Sequence, residues 1–360
     1  MNIKRVLHVG AHEELFMNYY RNFTTKSIVF DYVLRKGGVD FRFKNDPFFN
    51  GKIFYITPID KSIFSWIIEL RKLIKKNDYT HVHFHLGWAN IFGLISTLGL
   101  NIINISHNHS FYEPKNTFFR FLRKFIKIFI SKFSNINLAC SIDSGKQMFG
   151  NNFILIPNAI EYKNFIFNPH LKNKIKSDLK ILSEEIIFGH VGNFLQQKNQ
   201  DFLINIFFEI LKINNSSKLV LVGADYGTMN NAKILVNKLN IESNVLFLGN
   251  RNDVNEIMNI FDIFIFPSQF EGFGIALLEA QVSGLPCLYS SSIPKDAIVS
   301  PFSSSCSLDK DEKYWAMEAI ELLNFGIDDN SRFNRIKKIP NKFDVALVSK
   351  ELETVYLNYY

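Results

Sequence analysis

The sequence predicts an α/β protein of two Rossmann-like domains. Three observations point there. The chain has 360 residues, too many for one ordinary α/β core and suited to two domains of about 150–200 residues. Short β-rich runs alternate with amphipathic helical patterns throughout, as in parallel sheets covered by helices. Hydrophobic residues at 47% and charged residues at 21% describe a folded globular chain rather than a disordered or coiled one.

In order, the first strand is RVLHV within 3–9, followed by a helix over 13–22. Further strands are expected at 28–34, 52–56, 80–85, 102–106, 136–140 and 153–156, with helices at 61–76, 88–98 and 116–133. A second series starts at IIFGHVG (186–192) and continues with KLVLVG (218–223), NVLFLG (244–249), DIFIFP (262–267) and LPCLYS (285–290). The Asn/Lys-rich stretch 156–185, opened by Pro157-Asn158, reads as the interdomain linker. The expected division is 1–160, 161–342, and a helix over 343–360 whose aromatic end packs back on the first domain.

Three cysteines (Cys140, Cys287, Cys306) without CxxC spacing argue against a disulfide framework or zinc site and read as small buried apolar residues. No run approaches the roughly 20 apolar residues of a membrane span, and MNIKRVLHVG lacks a signal-peptide layout. The expected location is therefore the cytosol. Net charge is +7, unevenly spread: residues 1–170 hold 22 Lys/Arg against 11 Asp/Glu, the remainder 19 against 23. A polyanionic surface facing the first domain would suit that asymmetry.

In a parallel sheet, ligands bind beyond the carboxyl ends of strands. After DIFIFP the chain reads Ser268-Gln269-Phe270-Glu271-Gly272-Phe273-Gly274-Ile275, with a helix expected from about Gly274 or Ile275. Amides of Phe273, Gly274 and Ile275 would then be helix N-terminal donors, an anion site suited to a diphosphate. Glu279, one turn inside, could hold a ribose diol through its two oxygens. Glu271, on the loop, could reach sugar hydroxyls. Lys198, after the Gly192 turn, could meet a phosphate as a point charge. Asn250 and Arg251 end another strand, where a base could rest on backbone.

With these residues on the page, the chain resembles glycosyltransferase family four, of the GT-B fold, especially the subgroup that assembles bacterial exopolysaccharide, capsule and O-antigen. HVGNFLQQKNQDFL, LVLVGADYG, NVLFLGNRNDV and the two glutamates of EGFGIALLEAQVSGLPC carry the resemblance. It extends weakly through RVLHV, FMNYYR, HVHFH, ISHNHS, NLACS and ILIPNAI. The resemblance implies two domains facing a central cleft that holds a nucleotide-sugar donor, UDP-linked by family frequency. Glu279 would bind the ribose, Phe273, Gly274 and Ile275 the diphosphate, and Arg251 the base. Lys198 would neutralise leaving-group charge and Glu271 would face the transferred sugar. His107 would touch donor sugar or acceptor, with His109 as its substitute. Transfer would retain anomeric configuration, with no metal and no cofactor. Two positions depart from the pattern. Gly10 alone remains of a longer glycine loop after the first strand, and Asn193 stands where arginine is usual, so both are expected at the substrate.

His81, His83 and His85 alternate in HVHFH and so share one side of a strand. Three ligands from one strand would strain metal geometry, so packed or cleft-lining histidines are the preferred reading. The run NTFFRFLRKFIKIFISKF (116–133) places Arg120, Arg123, Lys124 and Lys127 on one helical face, with Phe118, Phe121, Leu122, Phe125, Ile128 and Phe129 on the other. Such a helix suits an anionic membrane surface or, equally, a scaffold role with its apolar side on the sheet. Peripheral association with the inner leaflet, where a lipid-linked glycan acceptor resides, is the expectation. Nucleic acid is not expected as a partner. Two further functions stay open: a nucleotide-sugar epimerase or hydrolase of similar fold, and a non-catalytic glycan- or nucleotide-binding partner.

Overall fold

The computed structural model of the chain describes residues 3–10, 13–38, 41–109 and 117–358. It divides into two compact units, Met1–Glu161 with Lys342–Tyr360, and Tyr162–Asn341. The first contains β1 (Lys4–Val9), α1 (Glu13–Arg21), β2 (Ile28–Arg35), β3 (Ile53–Ile56), α2 (Ile63–Lys76), β4 (His81–Phe84), α3 (Asn90–Thr97), β5 (Ile103–Asn108), α4 (Thr117–Phe133), β6 (Ile136–Ala139), α5 (Ile142–Phe149) and β7 (Ile154–Leu155). The second contains α6 (Pro169–Asp178), β8 (Ile186–Val191), α7 (Gln200–Ile213), β9 (Ser217–Val222), α8 (Met229–Lys238), β10 (Val245–Gly249), α9 (Val254–Ile257), β11 (Ile263–Phe266), α10 (Ile275–Val282), β12 (Cys287–Ser290), β13 (Ser303–Cys306), α11 (Glu312–Glu321) and α12 (Asp329–Ile336). The last helix, α13 (Val345–Asn358), returns to the first unit.

The first sheet is parallel in the order β3-β2-β1-β4-β5-β6-β7. Alternation sends Val6, Phe30 and Ile105 to a face covered by α1 and α13. It sends Leu7, Val82 and Phe84 to a face covered by α2, α3, α4 and α5. From α13, Val345, Val348, Leu352 and Tyr356 are buried in the first of these cores. Its Glu353 accepts from the Thr25 amide at 2.6 Å and the Thr24 hydroxyl at 2.9 Å.

The second sheet is also parallel, in the order β10-β9-β8-β11-β12-β13. Leu203, Ile206 and Phe207 of α7 and Trp315, Ala316 and Ala319 of α11 pack with Phe188, Leu219 and Ile265. In both sheets the strand order reverses beside the first strand of the unit. The crevice at such a reversal, beyond the strands' carboxyl ends, is where doubly wound folds bind ligands.

Three elements differ from expectation. The stretch 156–185, expected as the interdomain linker, contains the division between the units at Glu161/Tyr162 and is folded on either side of it. Ile156 is fully buried in the first unit's core, and α6 is started by Asn168, whose side chain accepts from the His170 and Leu171 amides with Pro169 in the first turn. A high polar content hid a helix whose apolar contacts are few. Helix α5 was not anticipated, although Ser141 and Ser144 form a reciprocal cap at its start. Strand β13, SSSC, carries no apolar alternation and exists because it pairs with β12. All three cysteines are free and buried.

Candidate active site and the histidine cluster

In the second unit the reversal lies between β8 and β11, and the loops after these two strands are sewn together. The Gln269 amide donates to the Gln197 carbonyl at 2.8 Å, and Asn199 Nδ2 donates to the Pro267 carbonyl at 3.3 Å. This brings Lys198, from the β8 loop, against Glu271, from the β11 loop, with Nζ 2.6 Å from Oε1. Lys198 Nζ also lies 4.9 Å from the centre of the Phe266 ring. The two side chains keep 15% and 10% exposure, so the pair is largely desolvated yet reachable.

Glycines make this closeness possible. Chain at Gly223 passes so near Gly192 that a Cβ there would lie 2.1 Å from the Gly192 carbonyl oxygen. A Cβ on Gly192 would press on His190 and on the Lys198 stem. Gln200, not anticipated as important, is buried and donates to the carbonyls of Gly192 (3.3 Å) and Asn193 (3.0 Å), fixing the turn. Asn193 is exposed, and its Oδ1 accepts from the Ala224 amide at 3.1 Å. His190 donates from Nδ1 to the Ile265 carbonyl at 2.9 Å. Burial pushes its pKa down to about 4, so it is neutral beneath the site.

Gly274 caps α10 in the left-handed region at φ 91°, which leaves Ile275 as the first helical residue. The amides that open α10 have no carbonyl one turn back and face an anion-favouring helix end. Phe273 is buried and Glu279 half-buried, one turn along. Arg251 follows β10 at the edge of the sheet, and its exposed guanidinium is committed to Asp253 at 2.8 and 2.5 Å. Lys198 and Glu271 are thus joined directly. Phe273, Gly274, Ile275 and Glu279 share the adjoining helix start, while Asn193 and Arg251 stand on neighbouring loops.

In the first unit the reversal lies between β1 and β4. Gly10 follows β1 at φ 74°, and a Cβ on it would lie 2.3 Å from Leu86 Cδ2. Beside it opens a cavity of about 280 Å³ whose lining includes Gly10, Arg35, Thr57, Asp60, Trp66 and Leu86.

The register pairs His8 with His83 and His83 with Ile105, so the alternation puts His8, His83, His85, His107 and His109 on one sheet face. HVHFH is therefore packed, and it is joined by His8, which sequence reading passed over inside RVLHV. A hydrogen-bonded chain runs from the Tyr20 hydroxyl to His8 Nε2, then His8 Nδ1 to His85 Nε2 (2.9 Å). It continues from His85 Nδ1 to His109 Nε2 (3.0 Å) and His109 Nδ1 to Asn158 Oδ1 (3.3 Å). His83 Nδ1 meets the Tyr356 hydroxyl at 2.6 Å. Desolvation lowers His8 to about 3 and holds His83, His85 and His107 well below the usual histidine range, so these rings are neutral. His107 is fully buried, whereas His109 is half-buried. Burial therefore removes His107 from direct reach of a substrate and leaves His109 as the accessible member.

Residues 172–323 match the family model described as glycosyl transferases group 1. The chain is 27% identical over 314 residues, 83% of each chain, to the capsular polysaccharide biosynthesis glycosyltransferase CapH of Staphylococcus aureus. It is 30% identical over 240 residues, 62% of this chain and 61% of the relative, to the UDP-Gal:α-D-GlcNAc-diphosphoundecaprenol α-1,3-galactosyltransferase of Escherichia coli. The crystal structure of HepE from Anabaena in complex with UDP superposes with a TM-score of 0.79 at 16% identity, covering 99% of this chain and 100% of that one. The paired parallel sheets are those of the GT-B fold. The motifs, the fold and the match over residues 172–323 agree, and together they make the chain similar to the group 1 glycosyltransferases.

Proposed function

We propose that the chain is a retaining transferase that moves a hexose from a UDP-sugar to a lipid-linked glycan during assembly of a surface polysaccharide. The Lys198–Glu271 pair, set at the strand-order reversal beside the start of α10, carries this reading. A diphosphate at that helix end would meet the opening amides and the Lys198 ammonium together. Fixed dipoles and a cation there stabilise charge as it grows on the leaving group, the largest single contribution available to such a site. Glu279 would hold the ribose, Glu271 the sugar hydroxyls, and the backbone at Arg251 the base.

In the proposed reaction the acceptor oxygen bonds to the anomeric carbon as the bond to the diphosphate breaks on the same face. The acceptor's proton passes to the leaving phosphate oxygen, so no side chain need act as base and no metal is required. The acceptor would enter at the first unit, where the cavity beside Gly10 suits a sugar ring and Trp66 and Arg35 offer an apolar wall and a cation. His109, half-buried in the first unit, would face the acceptor, and Asn193 of the second unit would lie beside the donor. UDP-Gal and α-D-GlcNAc-diphosphoundecaprenol are the donor and acceptor named for the Escherichia coli relative.

Thermal unfolding with UDP, GDP, ADP and CMP tests the donor assignment. Ligand at about 100 times its dissociation constant adds about 2.7 kcal/mol, a rise on the order of 5 °C. Stabilisation by UDP that disappears in Glu279→Ala is expected. An unmoved midpoint with all four nucleotides would defeat the donor reading.

A further inference from the structure

Among the described residues, the first unit gathers its imidazoles from three adjacent strands. The objection that one strand cannot supply three metal ligands therefore does not apply to His85, His107 and His109, which come from the ends of β4 and β5. We propose that His85, His107 and His109 form a three-imidazole site for a transition-metal dication of the Zn²⁺ class.

Four observations carry it. One ligand atom from each of the three rings falls within 4.8 Å of the others. His85 Nδ1 and His109 Nε2 stand 3.0 Å apart, close to the roughly 3.3 Å separating two nitrogens bound tetrahedrally at about 2.0–2.1 Å. The far nitrogens of those two rings already have the outer partners that metal-bound imidazoles use: His85 Nε2 faces His8 Nδ1 at 2.9 Å, and His109 Nδ1 faces the Asn158 side-chain oxygen at 3.3 Å. Finally, His107 is fully buried, with its ring 3.9 Å from that of His109 and 5.3 Å from that of His83, centre to centre.

Coordination would give a buried His107 nitrogen a strong partner in an interior where polar atoms need one. Nitrogen donors without a carboxylate favour Zn²⁺ and its neighbours over Mg²⁺ or Ca²⁺. Three protein ligands leave one position of a tetrahedron for solvent or substrate, and half-buried His109 marks the open side. The proposal does not depend on the transferase reading, since every ligand belongs to the first unit.

The experiment uses untagged full-length chain stripped with chelator, titrated with Co²⁺ alone and followed by visible absorption and calorimetry, then with Zn²⁺. One equivalent of Co²⁺ with four-coordinate absorption, displaced by Zn²⁺, is expected. His107→Gln should abolish that equivalent, with folding checked by circular dichroism. If His107→Gln fails to fold, His109→Gln at the half-buried position should abolish it instead. His8→Gln should keep the equivalent and weaken it by about 10-fold, as an outer partner does. No bound equivalent in the wild type would mean a hydrogen-bonded histidine chain only and overturn the proposal. So would loss of binding in His8→Gln with binding retained in His107→Gln, which would move the ion to His8, His83 and His85.

Discussion

Lys198 and Glu271 lie 73 residues apart in sequence and 2.6 Å apart in space, and each has its conformation set by the other. Removing either leaves a largely desolvated charge behind, which costs about 3 kcal/mol when the site is closed to water. Lys198→Ala should therefore lower kcat by about 100-fold or more with a smaller change in KM, because its contribution grows with charge on the leaving group. Glu279→Ala should instead raise the dissociation constant for UDP by about 10-fold or more, the loss of a hydrogen bond to a charged group. Steady-state kinetics with direct UDP titration separates the two, and equal effects on kcat in both variants would contradict the division of roles.

At the scale of elements, α4 buries Ile130 in the first unit's core and packs Ile126 and Phe129 against it, yet a second apolar stripe faces outward. Arg123 lies over the Trp88 ring at 4.6 Å, and Lys127 donates to the Lys146 carbonyl at 3.1 Å, so part of the basic face is turned against the protein. Phe121, Phe125 and Ile128, spaced four and three residues apart, are instead 59%, 56% and 64% exposed. Arg120 and Phe118 carry side chains outside the described residues. Exposed Lys124 and Lys132 flank the apolar stripe, and Phe64 and Ile68 of α2 are exposed as well. An apolar stripe rimmed by lysines suits an anionic lipid interface. Among the described residues no helix is long and apolar enough to cross a membrane, so any attachment through this helix would be peripheral. Flotation with vesicles containing anionic lipid should recover the wild type and lose the Phe125→Ser/Ile128→Ser double variant. Equal recovery of both would remove α4 from the membrane reading.

For the whole molecule, the buried histidines set how stability depends on pH. His8, His83, His85 and His107 in the first unit and His190 in the second have folded pKa values below the unfolded value of 6.5. Between the two values the unfolded chain binds more protons, so the stabilisation is complete above about pH 6.5 and is lost as pH falls towards 4 and then 3. Each fully engaged histidine contributes a slope of about 1.4 kcal/mol per pH unit. Thermal midpoints measured from pH 7.5 to 4.5 should drop most steeply below pH 6, before most carboxylates protonate. A flat midpoint across that range would show that these rings titrate freely in the folded state.

How much of this was legible in the sequence depends on the range of the forces involved. The two strand series, the helix after Gly274, the loop positions of Lys198 and Glu271 and the helical position of Glu279 follow from local periodicity and turn chemistry. The helix in 156–185 was not legible, because its cap is local but its polar surface resembles a linker; β13 was not, because pairing alone defines it. Tertiary structure alone decided that Lys198 meets Glu271, that HVHFH, ISHNHS and the unnoticed His8 converge, and that His107 is sealed while His109 is not. Those outcomes depend on strand order and register, which bring together residues far apart in the chain. Sequence determined which residues end the strands; packing decided which of those ends share a site.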